Sequence, residues 1–569
     1  MSPGGVLRIT VTPMPSNRLS RRQFLRASAA TAGAVAAGSA LAGHVHADPA
    51  AMANTSGTTM AQVAVPGRAR KGGYRPLVAG SGWPLYIRQE LAAAKSGREN
   101  ARSALASFVQ LTDIHITDVQ SPARFEYVHP VQGPAFRPQE ALGTQGAVAL
   151  VKRINSLARG PFTGRAFDCV VSTGDNTDNH EVVELGWFQH ILSGGQITPN
   201  TGAKNRFEGL QALGSSLYYR PELDSWDIYK DRGFIQIPGM LHAAIKTHSS
   251  PGLNVPWFAV FGNHDDQLLG TVPNNIVDWL YFSNVKYDLP DTDPTAAAIG
   301  RALSTDPASL GPLLAELRVT GPAIPVTADN SRRPFSPREF IRRHFDPAIK
   351  GAGPLGHGFT DPDGPSWYAF SISDGVLGIS LNTTNSLGIA DGSISQKQLD
   401  WMNRTIAANR DKLVLVFSHH TSKTMTAKLP NPETPGEQQY DGEHLVAQLH
   451  KHPNVIAWVN GHTHRNEMIA HRGATPKHSF WEINTASHID FPQLARIIEV
   501  SDNRDGTISI FTPLIEADSR YTADPSDLSQ AGLASLYREL SYNDIHRDDD
   551  LLGSAADRNC ELLLTNPLG

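Results

Sequence analysis

Cysteine is nearly absent from this sequence, since the 569 residues contain only Cys169 and Cys560. Two cysteines exclude a disulfide-rich scaffold and the cysteine ligand sets of structural zinc sites. Cys169 lies in the apolar run FDCVVSTGD, which favours a small buried hydrophobic residue. Whether it pairs with Cys560 is left open.

Two motifs of common hydrolases are also missing. The sequence has no G-x-S-x-G nucleophile elbow and no G-x-x-x-x-G-K-[ST] phosphate loop. Their absence excludes the serine hydrolases built on that elbow and the P-loop nucleotide hydrolases. Any hydrolytic chemistry must therefore come from another type of site.

No apolar run near the N-terminus is long enough for a membrane span. Residues 27–42 form a run of 16, mostly Ala, Gly and Ser, whereas a span needs roughly 20 strongly apolar residues. The run follows the twin-arginine stretch SRRQFLR (20–26) and precedes an A-x-A-like site at residues 45–47. This pattern predicts a twin-arginine export signal covering residues 1–47, with Met14 as an alternative start.

Export implies a periplasmic, cell-wall-associated or secreted protein that meets the twin-arginine translocase during export and keeps no stable membrane span. Removing residues 1–47 takes away five Arg and no acidic residue, so the formal charge moves from −5 to −10. A mildly acidic protein argues against a broad nucleic-acid-binding surface. An anionic substrate would have to be attracted locally.

The rest of the chain alternates short apolar runs with amphipathic segments. Residues 48–104 are interpreted as a flexible leader and N-terminal extension, 105–515 as one catalytic domain, and 516–569 as a C-terminal tail. Two stretches, about 190–254 and 267–365, are too long for connecting loops and are interpreted as insertions. Helices are predicted over Glu140–Leu157 and Ser395–Asn409.

Five apolar runs predict buried strands, and alternation with helices indicates an α/β core. They are Phe108–Leu111, Cys169–Ser172, Trp257–Phe261, Leu413–Phe417 and Val455–Val459. A second set is predicted to be antiparallel, because Asp-Gly turns interrupt it. It comprises Trp367–Ile372, Val376–Leu381, Phe480–Asn484, Ile497–Val500 and Thr507–Phe511.

Each of the first five runs ends in residues that bind metals. The motifs are LTDIH (Asp113, His115), STGDNTD (Asp175, Asp178), FGNHD (Asn263, His264), FSHH (His419, His420) and VNGHTH (His462, His464). Ligands of α/β sheets bind beyond the carboxyl ends of the strands. If the chain is extended after the first run, Asp113 and His115 point the same way. His462 and His464 would share one ion if extended, or divide between two ions if the chain turns.

In this order, D-x-H, G-D-x-x-D, G-N-H-D, H and G-H-x-H resemble the signature of the calcineurin-like metallophosphoesterase superfamily, in a form similar to its exported bacterial branch. The resemblance covers roughly residues 105–515. It implies a four-layer α/β/β/α sandwich, with two mixed β-sheets flanked by helices, large insertions, and two metal ions at one end. Asp178 stands where purple acid phosphatases place an iron-binding Tyr, and FGNHD differs from the RGNHE of Ser/Thr protein phosphatases. Both departures disfavour those two subfamilies.

The resemblance also implies a ligand set. Asp113, His115 and His464 would hold one ion, Asn263, His419 and His462 the other, and Asp175 would bridge them. His264 would be the catalytic histidine, with Asp178 as its partner. The ions would be two of Mn, Fe, Zn or Co, because imidazole, carboxylate and amide ligands suit all four.

Three further histidines are weaker candidates for contacting substrate. They are His420, beside the ligand His419, and His357 and His488, in polar stretches next to strand-like runs. An outer hydrogen-bonding role is an equal alternative for His420. Turn chemistry is the favoured alternative for the stretches around His357 and His488.

The function expected from these observations is an exported dinuclear metal-dependent phosphoester hydrolase, in which a metal-activated hydroxide attacks phosphorus. Phosphodiesters are slightly favoured, and a phosphomonoesterase or nucleotidase is the alternative. The substrate would be a small-molecule or lipid-derived phosphoester. An alternative of another class is a non-catalytic, metal-stabilised binding protein at the cell surface.

Overall fold

The computed structural model describes residues 45–46, 54–273 and 275–569. Apart from the backbone of residues 45 and 46, the predicted export signal lies outside the described residues. Among the described helices, none has the length and apolar content needed to cross a membrane.

The first of two large sheets is mixed and has nine strands. Leu494–Asp502 pairs antiparallel with Ser103–Leu111, which is parallel to Cys169–Ser172. In spatial order the strands are Val45–His46, Tyr86–Arg88, Cys560–Thr565, Thr507–Phe511, Leu494–Asp502, Ser103–Leu111, Cys169–Ser172 and Trp257–Ala259. The ninth strand, Leu514–Glu516, pairs beside the others with Leu494–Asp502.

The second sheet is also mixed and has six strands. In spatial order they are Tyr368–Ser373, Val376–Ser380, Leu413–Phe417, Val455–Asn460, Phe480–Asn484 and Glu467–His471. Four small two-stranded sheets lie outside the two large ones. They pair Gln62–Pro66 with Leu77–Ser81, Gly195–Ile197 with His248–Ser250, Val285–Tyr287 with Ala323–Pro325, and Ile394–Ser395 with Gln439–Tyr440.

Helices connect and flank the strands. The described α-helices are Arg98–Ala101, Gly143–Leu157, Val182–Ser193, Leu210–Leu213, Met240–Ala244, Asp278–Tyr281, Pro294–Thr305, Leu310–Thr320, Pro337–Arg343, Gln396–Ala408, Gly442–Leu449, Gln530–Asn543 and Ala555–Arg558. Both predicted helices are confirmed with small changes at their ends. The first begins as a 3-10 turn at Glu140–Leu142, and the second is capped by the Ser395 side chain, which accepts from the Gln398 N–H.

One apolar core joins the two large sheets. Phe108 of the first sheet meets Phe417 of the second edge-to-face, with ring centroids 5.7 Å apart. Alternate residues of Leu413–Phe417 divide between this core and a second cluster, which also contains apolar residues of helices Gln396–Ala408 and Gly442–Leu449. The period of two along a strand produces this division. Helix Gly143–Leu157 contributes to the shared core from the side of the first sheet.

The predicted strands are present, but the antiparallel expectation for the second set is partly wrong. Val376–Ser380 is parallel to Leu413–Phe417, and Phe480–Asn484 is parallel to Val455–Asn460. The first pair is joined through helix Gln396–Ala408, the crossover that parallel strands require. The Asp-Gly turns produce antiparallel hairpins only where they directly join two strands. Trp257–Ala259 is two residues shorter than predicted.

Both terminal segments contain regular secondary structure. The predicted leader and N-terminal extension contribute strands Gln62–Pro66, Leu77–Ser81 and Tyr86–Arg88. The predicted tail contributes strand Cys560–Thr565 to the first sheet and helix Gln530–Asn543 against Gly143–Leu157. Cys169 and Cys560 are both free and buried.

Candidate metal centre

The predicted metal-binding residues follow the ends of five strands, and the structure brings them together. Asp113, Asp175 and Asn263 follow strands of the first sheet, and His419 and His462 follow strands of the second. All five are buried. Because one apolar core joins the two sheets, strands of both can place ligand atoms at the same site.

One group of ligand atoms contains Asp113, His115, Asp175 and His464, which lie within 4.8 Å of one another. His464 Nε2 is 3.1 Å from Asp113 Oδ1 and 3.2 Å from His115 Nε2. His115 Nε2 is 3.6 Å from Asp175 Oδ2. The group thus offers two imidazole nitrogens and two carboxylates.

A second group lies on the other side of Asp175. His462 Nδ1 is 3.1 Å from Asn263 Oδ1 and 3.1 Å from His419 Nε2. His419 Nε2 is 3.2 Å from Asp175 Oδ2. Asp175 therefore contacts both groups, and His462 and His464 divide between them.

The tautomers of three histidines are set by acceptors outside the cluster. In each ring, Nδ1 points away from the cluster to a carbonyl or carboxylate oxygen, which can only accept a hydrogen bond. Nδ1 therefore carries the proton, and Nε2 presents a lone pair to the cluster. His115 Nδ1 donates to Asp178 Oδ1 (2.9 Å), and His419 Nδ1 donates to the Thr173 carbonyl oxygen (2.9 Å). His464 Nδ1 donates to Asp490 Oδ2 (2.6 Å). Lone pairs that converge with buried carboxylates need a cation between them. The donor set thus fits divalent metal ions.

The electrostatics of the cluster agree with that requirement. Burial opposes the charged form of His115, yet hydrogen bonds with Asp113 and Asp178 raise its pKa to about 10. Burial likewise opposes protonation of His419, but the neighbouring Asp175 raises its pKa to about 9. Burial alone would raise the pKa of Asp113, and the surrounding histidines hold it well below its ordinary value. The carboxylates therefore demand positive charge at this point of the fold.

The backbone is strained at the ligands. Five of them have left-handed φ angles, which cost non-glycine residues energy and cluster at functional sites. They are Asp113 (49°), His115 (46°), Asp175 (51°), His462 (68°) and His464 (56°). The extended conformation expected for Asp113 and His115 is therefore wrong, although both side chains still reach the same group. At His462 and His464 the chain turns, which separates the two histidines.

Two motif glycines permit the close approach of neighbouring chains. A Cβ at Gly262 would lie 2.2 Å from the Asp175 backbone nitrogen. A Cβ at Gly461 would lie 2.0 Å from Thr112 Oγ1 and 2.5 Å from Asp113 Oδ2. Any larger residue at either position would displace a proposed ligand.

His264 lies at the mouth of the cluster with a side chain that is 19% exposed. Its Nδ1 is 3.1 Å from the Asp178 carbonyl oxygen and 3.4 Å from Asp178 Oδ1. The predicted partnership is thus made mainly through the backbone, because the Asp178 carboxylate is closer to His115 and Arg124. His264 Nδ1 carries the proton in the bond to the carbonyl, so Nε2 is the nitrogen left for substrate.

The three histidines predicted as weaker substrate contacts are placed elsewhere. His420 Nε2 donates to the Ala390 carbonyl (3.2 Å), and its Nδ1 bonds Thr383 Oγ1 (2.9 Å), so neither nitrogen is left for a ligand. His357 is buried and stacks on Trp257 at 3.7 Å. His488 is buried against Tyr537. None of the three lines the described cavity at the cluster. In this structure the three rings take part in packing and internal hydrogen bonds, and His420 also has a ring nitrogen within 4.8 Å of ring nitrogens of His419 and His462.

That cavity has a volume of about 100 Å³. Ligands and His264 line it, together with Arg137 and the apolar Leu269, Leu303 and Ala390. Arg137 Nε donates to Asp490 Oδ1 at 2.6 Å, and Arg124 Nη1 to Asp178 Oδ2 at 2.8 Å. Sequence reasoning missed both arginines, which lie in a loop without a recognisable motif.

Comparison with known proteins adds little to this geometry. No family model matches the chain, and no curated protein matches it. One similar solved structure is a dimetal phosphatase from Danio rerio, which has 12% sequence identity and a TM-score of 0.30. The match covers 73% of this chain and 100% of that one. A likeness this weak assigns neither a family nor a function.

Proposed function

We propose that this protein is a dinuclear metal-dependent phosphoester hydrolase, with phosphodiesters as favoured substrates and phosphomonoesters as the alternative. One observation carries the proposal. Two groups of inward-facing imidazole and carboxylate ligands meet at Asp175, where three histidines are fixed by acceptors outside the cluster. Two divalent ions bound there would polarise the phosphoryl oxygens and supply a nucleophile from water.

The chain's own residues would do the remaining work. His264 lines the cavity and would donate a proton from Nε2 to the oxygen of the leaving alcohol, with its Nδ1 held by Asp178. Leu269, Leu303 and Ala390 would limit the water that reaches the reacting group. Asn263 contributes a neutral amide oxygen, which keeps the net charge of the site low enough to attract an anionic ester.

The proposal includes two finer points. The first is the four-layer α/β/β/α arrangement, supported by the core between the two sheets and the helical clusters beside them. The second is export by the twin-arginine route, supported by SRRQFLR and the short apolar run that follows it. Replacing Arg21 and Arg22 with Lys should abolish export, and unchanged export would contradict the second point.

Hydrolysis assays test the central proposal. The protein is stripped of metal, reloaded with Mn, Zn, Co or Fe, and assayed with bis(p-nitrophenyl) phosphate and p-nitrophenyl phosphate, beside the Asp175→Asn variant. Turnover should require metal and should be lost in the variant. Two bound metals per chain with no turnover of any ester would favour the non-catalytic binding protein instead.

A further inference from the structure

Arg137 is the one arginine or lysine among the described residues that line the cavity at the metal centre. It also lines a larger cleft of about 950 Å³, so it lies where the two spaces meet. Its side chain is only 4% exposed. A charge buried to this degree costs free energy unless protein or ligand groups replace the lost water. The partners of Arg137 therefore indicate its role.

A single carboxylate accounts for only part of the Arg137 guanidinium. Nε donates to Asp490 Oδ1 at 2.6 Å. Among the described residues, none accepts a hydrogen bond from Nη1 or Nη2. Neither of these atoms is fully enclosed by protein, so both are open to the cavity or the cleft. Arg137 thus keeps the donors of two nitrogens for a ligand.

The buried Arg124 provides a contrast. Its Nη1 donates to Asp178 Oδ2 at 2.8 Å, and its Nη2 donates to Glu140 Oε2 at 2.9 Å. Arg124 does not line the cavity. Carboxylates of the protein therefore satisfy both ends of the Arg124 fork, whereas the fork of Arg137 is left for another anion.

Contacts with the metal site fix the position of Arg137. The other oxygen of Asp490 accepts from Nδ1 of the proposed ligand His464 at 2.6 Å, so one carboxylate lies between the guanidinium and a ligand. Gln139 Nε2 donates to the Ile489 carbonyl oxygen at 3.0 Å, which ties the loop of Arg137 to the segment of Asp490. A guanidinium held in this way loses little side-chain entropy when it binds an anion.

We propose that Arg137 binds a non-bridging oxygen of the reacting phosphoryl group through Nη1 and Nη2, beside the proposed metal ions. The inference rests on the proposed function and gives it a further substrate-binding residue. The planar fork of an arginine matches the geometry of phosphate oxygens, and a charged donor fixed in a buried site is stronger than a mobile one in water. Loss of Arg137 should therefore lower both phosphate binding and turnover.

The test uses inorganic phosphate, which has no second anionic group that Arg137 could bind instead. Calorimetry measures its binding to the metal-loaded full chain, and kcat/KM is measured with bis(p-nitrophenyl) phosphate and p-nitrophenyl phosphate on the same preparations. Arg137→Ala should keep its metal content, because Asp490 still holds His464. It should bind phosphate roughly 10- to 100-fold more weakly and lose roughly 10²- to 10³-fold in kcat/KM. Guanidinium chloride at a non-denaturing concentration should restore part of that loss.

Two further variants separate ligand binding from structural support. Arg137→Lys keeps a positive charge for Asp490 but loses the fork, so it should keep its metal content and still bind phosphate more weakly than wild type. A purely structural role predicts full recovery by Lys. Arg232→Ala is the matched control, because Arg232 is exposed and lines the cleft but not the cavity. It should bind phosphate as wild type does.

Each contrary result has its own meaning. Wild-type phosphate affinity in Arg137→Ala, or full recovery in Arg137→Lys, overturns the inference while leaving the phosphoesterase intact. Metal-loaded wild-type protein that hydrolyses neither ester overturns the proposed function itself.

Discussion

The orientation of each histidine in the candidate metal centre depends on the residue that accepts a hydrogen bond from its Nδ1. Asp490 accepts from His464 Nδ1 and also from Arg137 Nε, so one carboxylate positions a ligand and an arginine of the cavity wall. Such outer partners set the tautomer and ring orientation of a ligating imidazole. The small site is therefore sensitive to residues that never touch a metal.

Replacing Asp490 with Asn should weaken metal binding by roughly 10- to 100-fold, because the amide keeps the size but loses the charge that fixes His464. The measurement is titration of the stripped protein with Zn or Mn in competition with a chelator. Asp411→Asn, at an exposed position, is the matched control and should bind metal as wild type does. Unchanged affinity in the Asp490 variant would show that the bond does not orient His464.

Replacing His264 and replacing Asp175 should have different effects on metal content and turnover. His264→Ala should keep both metals and lose roughly 10²- to 10⁴-fold in kcat, since it removes only a proton donor. Asp175→Asn should lose metal and activity together, because Asp175 contacts both ligand groups. Metal content and kcat are measured on the same preparations. A His264 variant with full turnover would remove this residue from the proposed mechanism.

At the residue scale, the candidate metal ligands could be predicted from the sequence, but the residues that hydrogen-bond to them could not. Asp113, His462 and their counterparts follow apolar strands in spaced motifs, so their convergence could be predicted from local pattern. Arg124 and Arg137 lie in a loop with no periodicity, and their contacts depend on chain far away. The left-handed φ angles at the ligands also leave no local signal except the neighbouring glycines.

At the scale of elements, the place of strand Cys560–Thr565 in the first sheet could not be predicted from the sequence. It lies between Thr507–Phe511 and Tyr86–Arg88 in the first sheet, and its place depends on partners distant in sequence. The local apolar pattern predicts that a strand exists, but it does not predict which strands it pairs with. Strands such as Cys169–Ser172 and Leu413–Phe417 were easier to predict, because each pairs with a strand that precedes it in the α/β order.

Leu562→Ala in this strand should lower the free energy of unfolding by about 2–5 kcal/mol, since Leu562 is fully buried in the shared core. Leu568→Ala is the matched control. Leu568 is 46% exposed, so its substitution should change the free energy by less than about 0.5 kcal/mol. Urea unfolding measures both. Equal effects would mean that the last strand is not an integral part of the sheet.

At the scale of the whole molecule, buried neutral histidines make stability depend on pH. His357 stacks on Trp257 and meets the ring of His344 edge-to-face. Burial lowers the pKa of His357 to about 4 and that of His344 to about 3, against about 6.5 in the unfolded chain. Between these values the unfolded chain binds more protons, so stability falls as the pH drops below about 6.5 and levels off below the folded pKa.

His357 alone should contribute about 2 kcal/mol to the loss between pH 7 and pH 5. His357→Phe keeps an aromatic ring against Trp257 and should therefore show a shallower dependence of unfolding free energy on pH. His242→Phe, at an exposed position, should keep the wild-type dependence. Parallel pH profiles for wild type and the His357 variant would contradict this origin of acid sensitivity.

The most direct test of the central claim is anomalous X-ray diffraction from crystals loaded with Mn or Zn. Two peaks about 3.5–4 Å apart are expected, one among Asp113, His115 and His464 and the other among Asn263, His419 and His462, with Asp175 between them. A single peak, or peaks away from Asp175, would contradict a dinuclear centre at this site.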